Sequence, residues 1–267
     1  MSVLHPRQSD IVDRARQDGR VDVEGLAKIF NVSPQTIRKD LNDLCSMKLL
    51  QRIHGGAIYP STVSNIAYLS RRSMAADAKQ AIAQTAAGLI SDDASLILNI
   101  GTTTEQVASE LKRHSGLLVI TNNLNVANTL GDVKDIDVVV AGGMVRKSDG
   151  GIVGSLASDM FRQFKVDYAV IGISAIDADG ALLDFDYREV QVTKAIFEQA
   201  RLKILVADNM KFNRRAPALV ANIADLDVFV TDIAPPQRII DLCKANDVEL
   251  HVTGQGDIDQ TQTAASV

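Results

Sequence analysis

Apolar positions recur at helical spacing in three short runs at the start of the chain. Ile11, Val12 and Ala15 share one face of a stretch from Arg7 to Gln17, and Gly19 supplies a stop. Val23, Leu26, Ala27 and Phe30 follow at i, i+3, i+4 and i+7 behind Asp22, a residue suited to cap a helix. Asn31 and Val32 make a turn. Ser33 then stands at a cap position, and Pro34 takes the first helical position, where its missing N–H costs nothing. In the third run Ile37, Leu41, Leu44 and Cys45 form the inner face, which sends Gln35, Lys39 and Asn42 outward with Thr36 and Arg38 on the flanks. "LLQRIH" alternates as a strand, Gly55-Gly56 fits a two-residue hairpin turn, and "AIY" returns. The pattern predicts a helix-turn-helix with a wing over residues 1–60.

After Pro60 the pattern changes. A polar segment, "STVSN", leads a linker over residues 61–76, and "DAKQAIAQTAAGLI" opens a body over residues 77–253. Six short apolar runs, "SLILNI", "LLVIT", "IDVVVAG", "DYAVIGI", "LKILVAD" and "LDVFVTD", alternate with helical stretches. Strands of that kind predict an α/β fold with a mainly parallel sheet covered by helices on both faces. Residues 254–267 are small, polar and aperiodic, and are expected to form a frayed tail.

The strand ends carry the candidate chemistry. "LILNI" runs into Gly101, Thr102, Thr103 and Thr104 before a helix expected from Glu105. "LLVIT" ends in Asn122-Asn123, "VVVA" in Gly142-Gly143, and "LKILVAD" in Asp208 followed by Lys211. In an open parallel sheet these carboxyl ends share the rim where ligands bind. Gly-Thr-Thr-Thr at a helix N-terminus offers N–H groups and hydroxyls to an anion, and Lys211 adds a point charge suited to phosphate. Each turn alone also fits an ordinary strand-to-helix connection.

Composition narrows the picture. Cys45 and Cys243 lie far apart and match no metal spacing, and His5, His54, His114 and His251 are scattered, so neither a metal nor a cofactor is expected. There is no leader-like N-terminus and no apolar run long enough to cross a bilayer, so a cytoplasmic chain without membrane contact is expected. The formal charge of −5 is uneven: residues 1–60 hold nine Lys/Arg against seven Asp/Glu, and the remainder nineteen against twenty-six. A mildly basic head on an acidic body fits a tethered DNA-binding module. Taken singly, each outward charge of the third helix fits a solvated helical face. Short turn, capped third helix and basic wing together point to DNA, with Arg52 and His54 placed to touch backbone or minor groove. Asp40, close to the inner face, is assigned to ion pairing or helix geometry.

"SPQTIRKDLNDL" with "RIHGGA" resembles the DNA-binding signature of the DeoR family of bacterial transcriptional regulators. "IGTTTEQVA", "VITNNLNVANTL", "AGGMVRKSDGGIVG" and "GISAIDADGALLDFDYREV" are similar to that family's sensor domain. The resemblance runs from about residue 5 to 252. It implies a fold shared with ribose-5-phosphate isomerases and coenzyme A transferases, and an oligomeric repressor released from operator DNA by a phosphorylated small metabolite. The middle motifs resemble the subgroup answering to glycerol 3-phosphate. Carried over by position, the helix-turn-helix falls on Arg20 to Lys39, with Ser33, Gln35, Thr36, Arg38, Lys39 and Asn42 toward DNA. The effector pocket falls on Gly101, Thr102, Thr103, Thr104, Thr121, Asn122, Asn123, Gly142, Gly143, Asp208 and Lys211, together with Glu189 and Lys194. Three positions depart from the family's habit: Asn99 stands where Asp is frequent, Lys39 where Arg is common, and Met210 where Ser is usual. Lys39 trades a bidentate fork for a point charge.

A sugar-phosphate isomerase joined to a DNA-binding head is the alternative from another class. Isomerisation by proton transfer needs a positioned carboxylate base. The related isomerases carry a closely spaced acidic motif after the fourth strand, where this chain reads "GISAID", with Ile173 to Ile176 before the first acid, Asp177. Glu189 and Asp208 remain as potential bases.

Overall fold

The computed structural model describes residues 4–18, 20–47, 49–59 and 68–254, and the chain divides into two compact units, Met1–Arg71 and Arg72–Val267. Gly19, the start of the expected linker (61–67) and the tail from 255 lie outside the described residues.

The first unit runs α1 (Pro6–Asp18), β1 (Arg20–Asp22), α2 (Val23–Phe30), α3 (Pro34–Ser46), β2 (Gln51–Ile53) and β3 (Gly56–Ile58). Ile11, Ala15, Ile37, Leu41 and Leu44 are wholly buried, so the helical periodicities converge on one core. Both caps form: the Gly25 N–H donates to Asp22 Oδ1 at 2.7 Å, and the Thr36 N–H donates to Ser33 Oγ at 3.2 Å. Asp40 is buried on α3 and ties it to α1, accepting from Arg7 Nε at 2.7 Å and from Gln8 Nε2 at 3.4 Å.

Two details of the wing differ from the expectation. The two-residue turn is His54-Gly55, because Ile53 pairs with Gly56. Gly55 supplies the positive φ, while Gly56 lies in β3, where a Cβ would collide with the Val21 carbonyl. The second difference is β1, which pairs antiparallel with β3 and makes the wing a three-stranded sheet in the order β1-β3-β2.

α4 (Tyr68–Ser73) occupies part of the stretch expected to be linker and crosses the division at Arg71–Arg72, beyond which the second unit begins. The unit continues with α5 (Ala76–Gly88), β4 (Ser95–Leu98), α6 (Thr102–Leu111), β5 (Leu117–Thr121), α7 (Leu124–Leu130) and β6 (Ile136–Val140). A hairpin of β7 (Met144–Val145) and β8 (Ile152–Val153) leads to α8 (Ser155–Phe161), β9 (Val166–Ile171), β10 (Ala175–Ile176), β11 (Ala181–Asp184) and α9 (Tyr187–Gln199). It ends with β12 (Ala200–Val206), β13 (Ala218–Asn222), β14 (Val228–Thr231), α10 (Gln237–Ala245) and β15 (Glu249–Val252).

Seven strands form one sheet, in the order β15-β14-β12-β9-β4-β5-β6, and every pairing in it is parallel. Alternation inside the apolar runs explains why they are apolar throughout: both faces are covered. Leu96, Leu98 and Val119 pack with α5, α6 and α7, while Ile97, Ile120 and Ala169 pack with α8 and α9. The sequence pattern did not predict β15 or a smaller antiparallel sheet, β10-β11-β13, which lies over a third apolar cluster with α10. Among the described residues, no helix is long and apolar enough to cross a membrane.

Candidate functional site

In the first unit, Gln35, Arg38, Lys39 and Asn42 are exposed on α3, and Thr36 is half-buried beside them. Ser33 and Thr36 are tied together, their hydroxyls 2.9 Å apart at the helix cap. Arg38 lies 3.4 Å from Gln35 Oε1 and 3.9 Å from Glu24 on α2, weak and solvent-exposed contacts that leave the guanidinium available to a stronger acceptor. Arg52 and His54 are exposed on the wing, and Arg52 Nη1 donates to the Gly56 carbonyl across the hairpin at 2.8 Å. The unit thus presents a helix start with amide, guanidinium and ammonium groups outward, and a basic hairpin.

In the second unit, the carboxyl ends of β12, β9, β4, β5 and β6 are neighbours, so the turns after them share a rim. The helix after β4 begins at Thr102, three residues before the expected Glu105. Thr102, Thr103 and Thr104 therefore form its first turn, whose N–H groups have no intrahelical acceptor, and the Gly101 cap contributes no side chain to satisfy them. Glu105 is buried in that turn and accepts from Asn123 Nδ2 at 3.1 Å and Asn125 Nδ2 at 3.0 Å.

The expected site residues separate into groups. Thr104 is wholly buried, with its hydroxyl 2.9 Å from the Asn99 carbonyl and 2.8 Å from that of Gly101; Thr121 donates to the Leu98 carbonyl at 2.8 Å and accepts the Asn123 N–H. These two hydroxyls hold the turns in shape. Asn122 is 1% exposed; its Nδ2 donates to the Ile152 carbonyl, and its Oδ1 has no hydrogen-bond partner among the described residues. A buried acceptor left open is costly unless something fills it. Gly142 and Gly143 form an exposed turn after β6. Asp208 is buried and caps a short 3-10 turn over Asn209–Asn213 that carries the half-buried Lys211. Lys194 is exposed on α9, while Glu189 and Thr193 of the same helix are buried.

One densely bonded residue beside the rim lies outside the sequence expectation. Arg146, in the loop between β7 and β8, donates to both Asp149 oxygens at 2.8 and 2.7 Å and to Asp186 at 3.0 Å, and lies 2.6 Å from Glu189. Asn125 joins this cluster to the first turn of α6, because its Nδ2 also donates to the Asp149 carbonyl at 2.9 Å. Asp184 is buried nearby and accepts from Ser174 at 2.9 Å. Glu189 is pushed up to about 8 by burial and by Asp184, with Arg146 opposing. Asp186 is held down at about 2, first by the hydrogen bond from Arg188 and also by Arg146. A cavity of about 420 Å³ lies at the amino ends of β5 and β6, and one of about 200 Å³ lies between α8 and the start of α9, lined in part by Arg188. The rim is the stronger candidate because its buried polar groups converge, which volume alone does not supply.

Profile comparison matches residues 7–63 to the DeoR-like helix-turn-helix domain and residues 74–233 to the DeoR C terminal sensor domain. The glycerol-3-phosphate regulon repressor of Escherichia coli (strain K12) is 42% identical over 246 residues, which cover 92% of this chain and 98% of that protein. The protein of the same name from Haemophilus influenzae is 43% identical over 245 residues, 91% of this chain and 95% of its own. Among solved structures, ribose 5-phosphate isomerase A from Neisseria gonorrhoeae overlays with a TM-score of 0.37 at 12% identity, covering 50% of this chain and 52% of that one.

Proposed function

Because the chain belongs to the DeoR family of transcriptional regulators, we propose that it is a DNA-binding repressor released from its operator by a phosphorylated small metabolite, with glycerol 3-phosphate as effector. The observation that supports DNA reading is the outward set Gln35, Arg38 and Lys39 at the capped start of α3, beside a basic wing. The uncapped first turn of α6, with the open Oδ1 of Asn122 at the end of the adjacent β5 and the Arg146 cluster joined to it through Asn125, supports an anionic, hydroxyl-bearing ligand at the rim. Relatives named for a glycerol-3-phosphate regulon support glycerol 3-phosphate as the effector. The names of those relatives also point to a regulator rather than an enzyme.

In this reading the phosphate sits on the N–H groups of Thr102 to Thr104, with Lys211 closing the other side, and the glycerol hydroxyls reach the buried acceptors. One recognition helix and one wing cover a short site, so the chain works in the cytoplasm as a homo-oligomer on paired half-sites about one helical turn apart. A thermal-shift panel of phosphorylated metabolites tests the effector, since a ligand that binds only the folded state raises its stability by mass action. Glycerol 3-phosphate should give the largest shift. A larger shift with another phosphate replaces it as effector, and equal binding to regulatory and random DNA removes the repressor reading.

A further inference from the structure

We propose that Arg146 is a latch between the loop of residues 146–151 and the start of α9, opened when an anionic effector draws its guanidinium away from Asp186 and Glu189. This rests on the effector reading above. The latch has two unequal sides. Within the loop, Asp149 grips Arg146 with both oxygens, at 2.8 and 2.7 Å, and the loop is itself anchored beside α7 by the Asn125 bond to the Asp149 carbonyl and by the Leu124 N–H bond to Gly150. Across to α9, single contacts reach Asp186 at 3.0 Å and Glu189 at 2.6 Å.

The α9 side is built to let go. Asp186 has a second cation, Arg188, bonded through Nε at 3.0 Å and Nη2 at 2.8 Å, so it stays paired when Arg146 leaves. Glu189 has no such substitute among the described residues, but burial and Asp184 already hold its titration well above the usual carboxylate range, so it can take a proton instead of remaining a bare buried charge. The groups around Glu189 are Arg146 and Asp149 from the loop, Asp184 from the end of β11, and Asp186 and Arg188 from α9 itself; Arg214 stacks over Phe185 beside them. Charged residues of the neighbouring α8, β9 and β12 pair among themselves or elsewhere: Arg162 with Asp159, Arg201 with Asp167, and Lys203 with Asp227. Asn125 joins the loop to Glu105 in the first turn of α6, so a dianion on that turn competes for the half-buried Arg146 guanidinium.

Opening therefore removes the cation that opposes the rise in Glu189's titration, and above about pH 8, where the carboxylate is ionised in the free state, it takes up one proton from solvent. The sign follows from linkage: the bound state holds the proton more tightly than the free state, so affinity falls as pH rises above about 8, by up to about tenfold per pH unit. The test is calorimetric titration of the whole chain with glycerol 3-phosphate at about pH 8.5, in two phosphate-free buffers of different ionisation enthalpy. A phosphate monoester, with a second ionisation near about 6, is already fully dianionic there and contributes no proton of its own. The expected result is a buffer-dependent enthalpy corresponding to uptake of most of one proton per chain in the wild type. Glu189→Gln should bind with no buffer dependence and with an affinity that stays level across the same pH range. Binding by the wild type with equal enthalpies in both buffers overturns the latch and leaves the effector reading standing, as does proton uptake that persists in Glu189→Gln. No binding of glycerol 3-phosphate at all overturns the effector reading, and the latch with it.

Discussion

Asn99 and Gly172 exchange two hydrogen bonds across the carboxyl ends of β4 and β9: the Gly172 N–H donates to Asn99 Oδ1 at 2.8 Å, and Asn99 Nδ2 donates to the Gly172 carbonyl at 3.1 Å. Only a side chain with both a donor and an acceptor can do this. Asn99 is thus committed to the scaffold beneath the rim, and it is 2% exposed.

Asn99→Asp should therefore destabilise the chain by about 1–3 kcal/mol at neutral pH, because an ionised carboxylate turns an acceptor toward the Gly172 carbonyl and leaves that carbonyl unpaired. Urea unfolding measures it. Part of the loss should return in acid, where the introduced carboxyl is protonated and regains a donor. An unchanged midpoint at neutral pH would mean that the two bonds contribute nothing net.

Legibility in the sequence followed the range of the interaction. The start of α3 could be read because Ser33 and Pro34 act on their own next turn, and its inner face because Ile37, Leu41 and Leu44 repeat at helical spacing. The strands β1 and β15 could not, since three or four residues with mixed exposure give no period. The Thr and Asn turns were visible as turn chemistry, yet nothing local distinguishes Thr103 from Thr104, whose hydroxyl is spent on the Asn99 and Gly101 carbonyls. The Arg146 cluster was missed because it joins residues forty positions apart; only the Arg146–Asp149 spacing ahead of Gly150-Gly151 hinted at a braced loop. Lys211 is legible at a strand end, whereas Lys194 comes only from the family resemblance; the structure half-buries the first and leaves the second exposed.

The recognition helix yields a second prediction. Arg38 is exposed, and its contacts to Gln35 and Glu24 are long, so Arg38→Ala should leave the fold of the first unit intact. Operator binding should weaken by about 1–3 kcal/mol with relaxed specificity if Arg38 reads a base edge. A phosphate contact would instead weaken all sequences alike and lower the salt slope by about one. Fluorescence anisotropy against a regulatory and a random duplex at several salt concentrations separates the two, and unchanged binding to both refutes this placement of α3.

Acid stability provides the third. The folded-state pKa of Asp186 lies at about 2, below its ordinary 3.8, so its stabilising contribution is fully present above about pH 4 and is lost as pH falls toward 2. Asp186→Asn keeps a side-chain oxygen for the Arg188 N–H and so can still cap α9, but it loses the charge paired with Arg188 and Arg146. The variant should be less stable than wild type at neutral pH, with the gap narrowing between pH 4 and pH 2. Parallel curves over that range, from denaturation at stepped pH, would show that the carboxylate gains nothing from its two arginines.

The two lysines make the last. Lys211 follows Asp208 at the end of β12, on the rim, whereas Lys194 is exposed on a helix whose buried side carries Glu189. If the effector phosphate rests on the first turn of α6 with Lys211 opposite, Lys211→Ala removes a charge-assisted hydrogen bond of about 1.5–3 kcal/mol. That corresponds to roughly ten- to a hundred-fold weaker binding of glycerol 3-phosphate. Lys194→Ala removes an equal charge from the same unit and should leave that affinity within about twofold, which controls for a general change in the field of the protein. Direct titration of both variants decides the matter. Equal losses in the two would make the effect one of net charge rather than contact. A loss confined to Lys194→Ala would move the phosphate off the rim altogether, because no effector seated on Thr102 to Thr104 explains dependence on a lysine that packing turns to solvent.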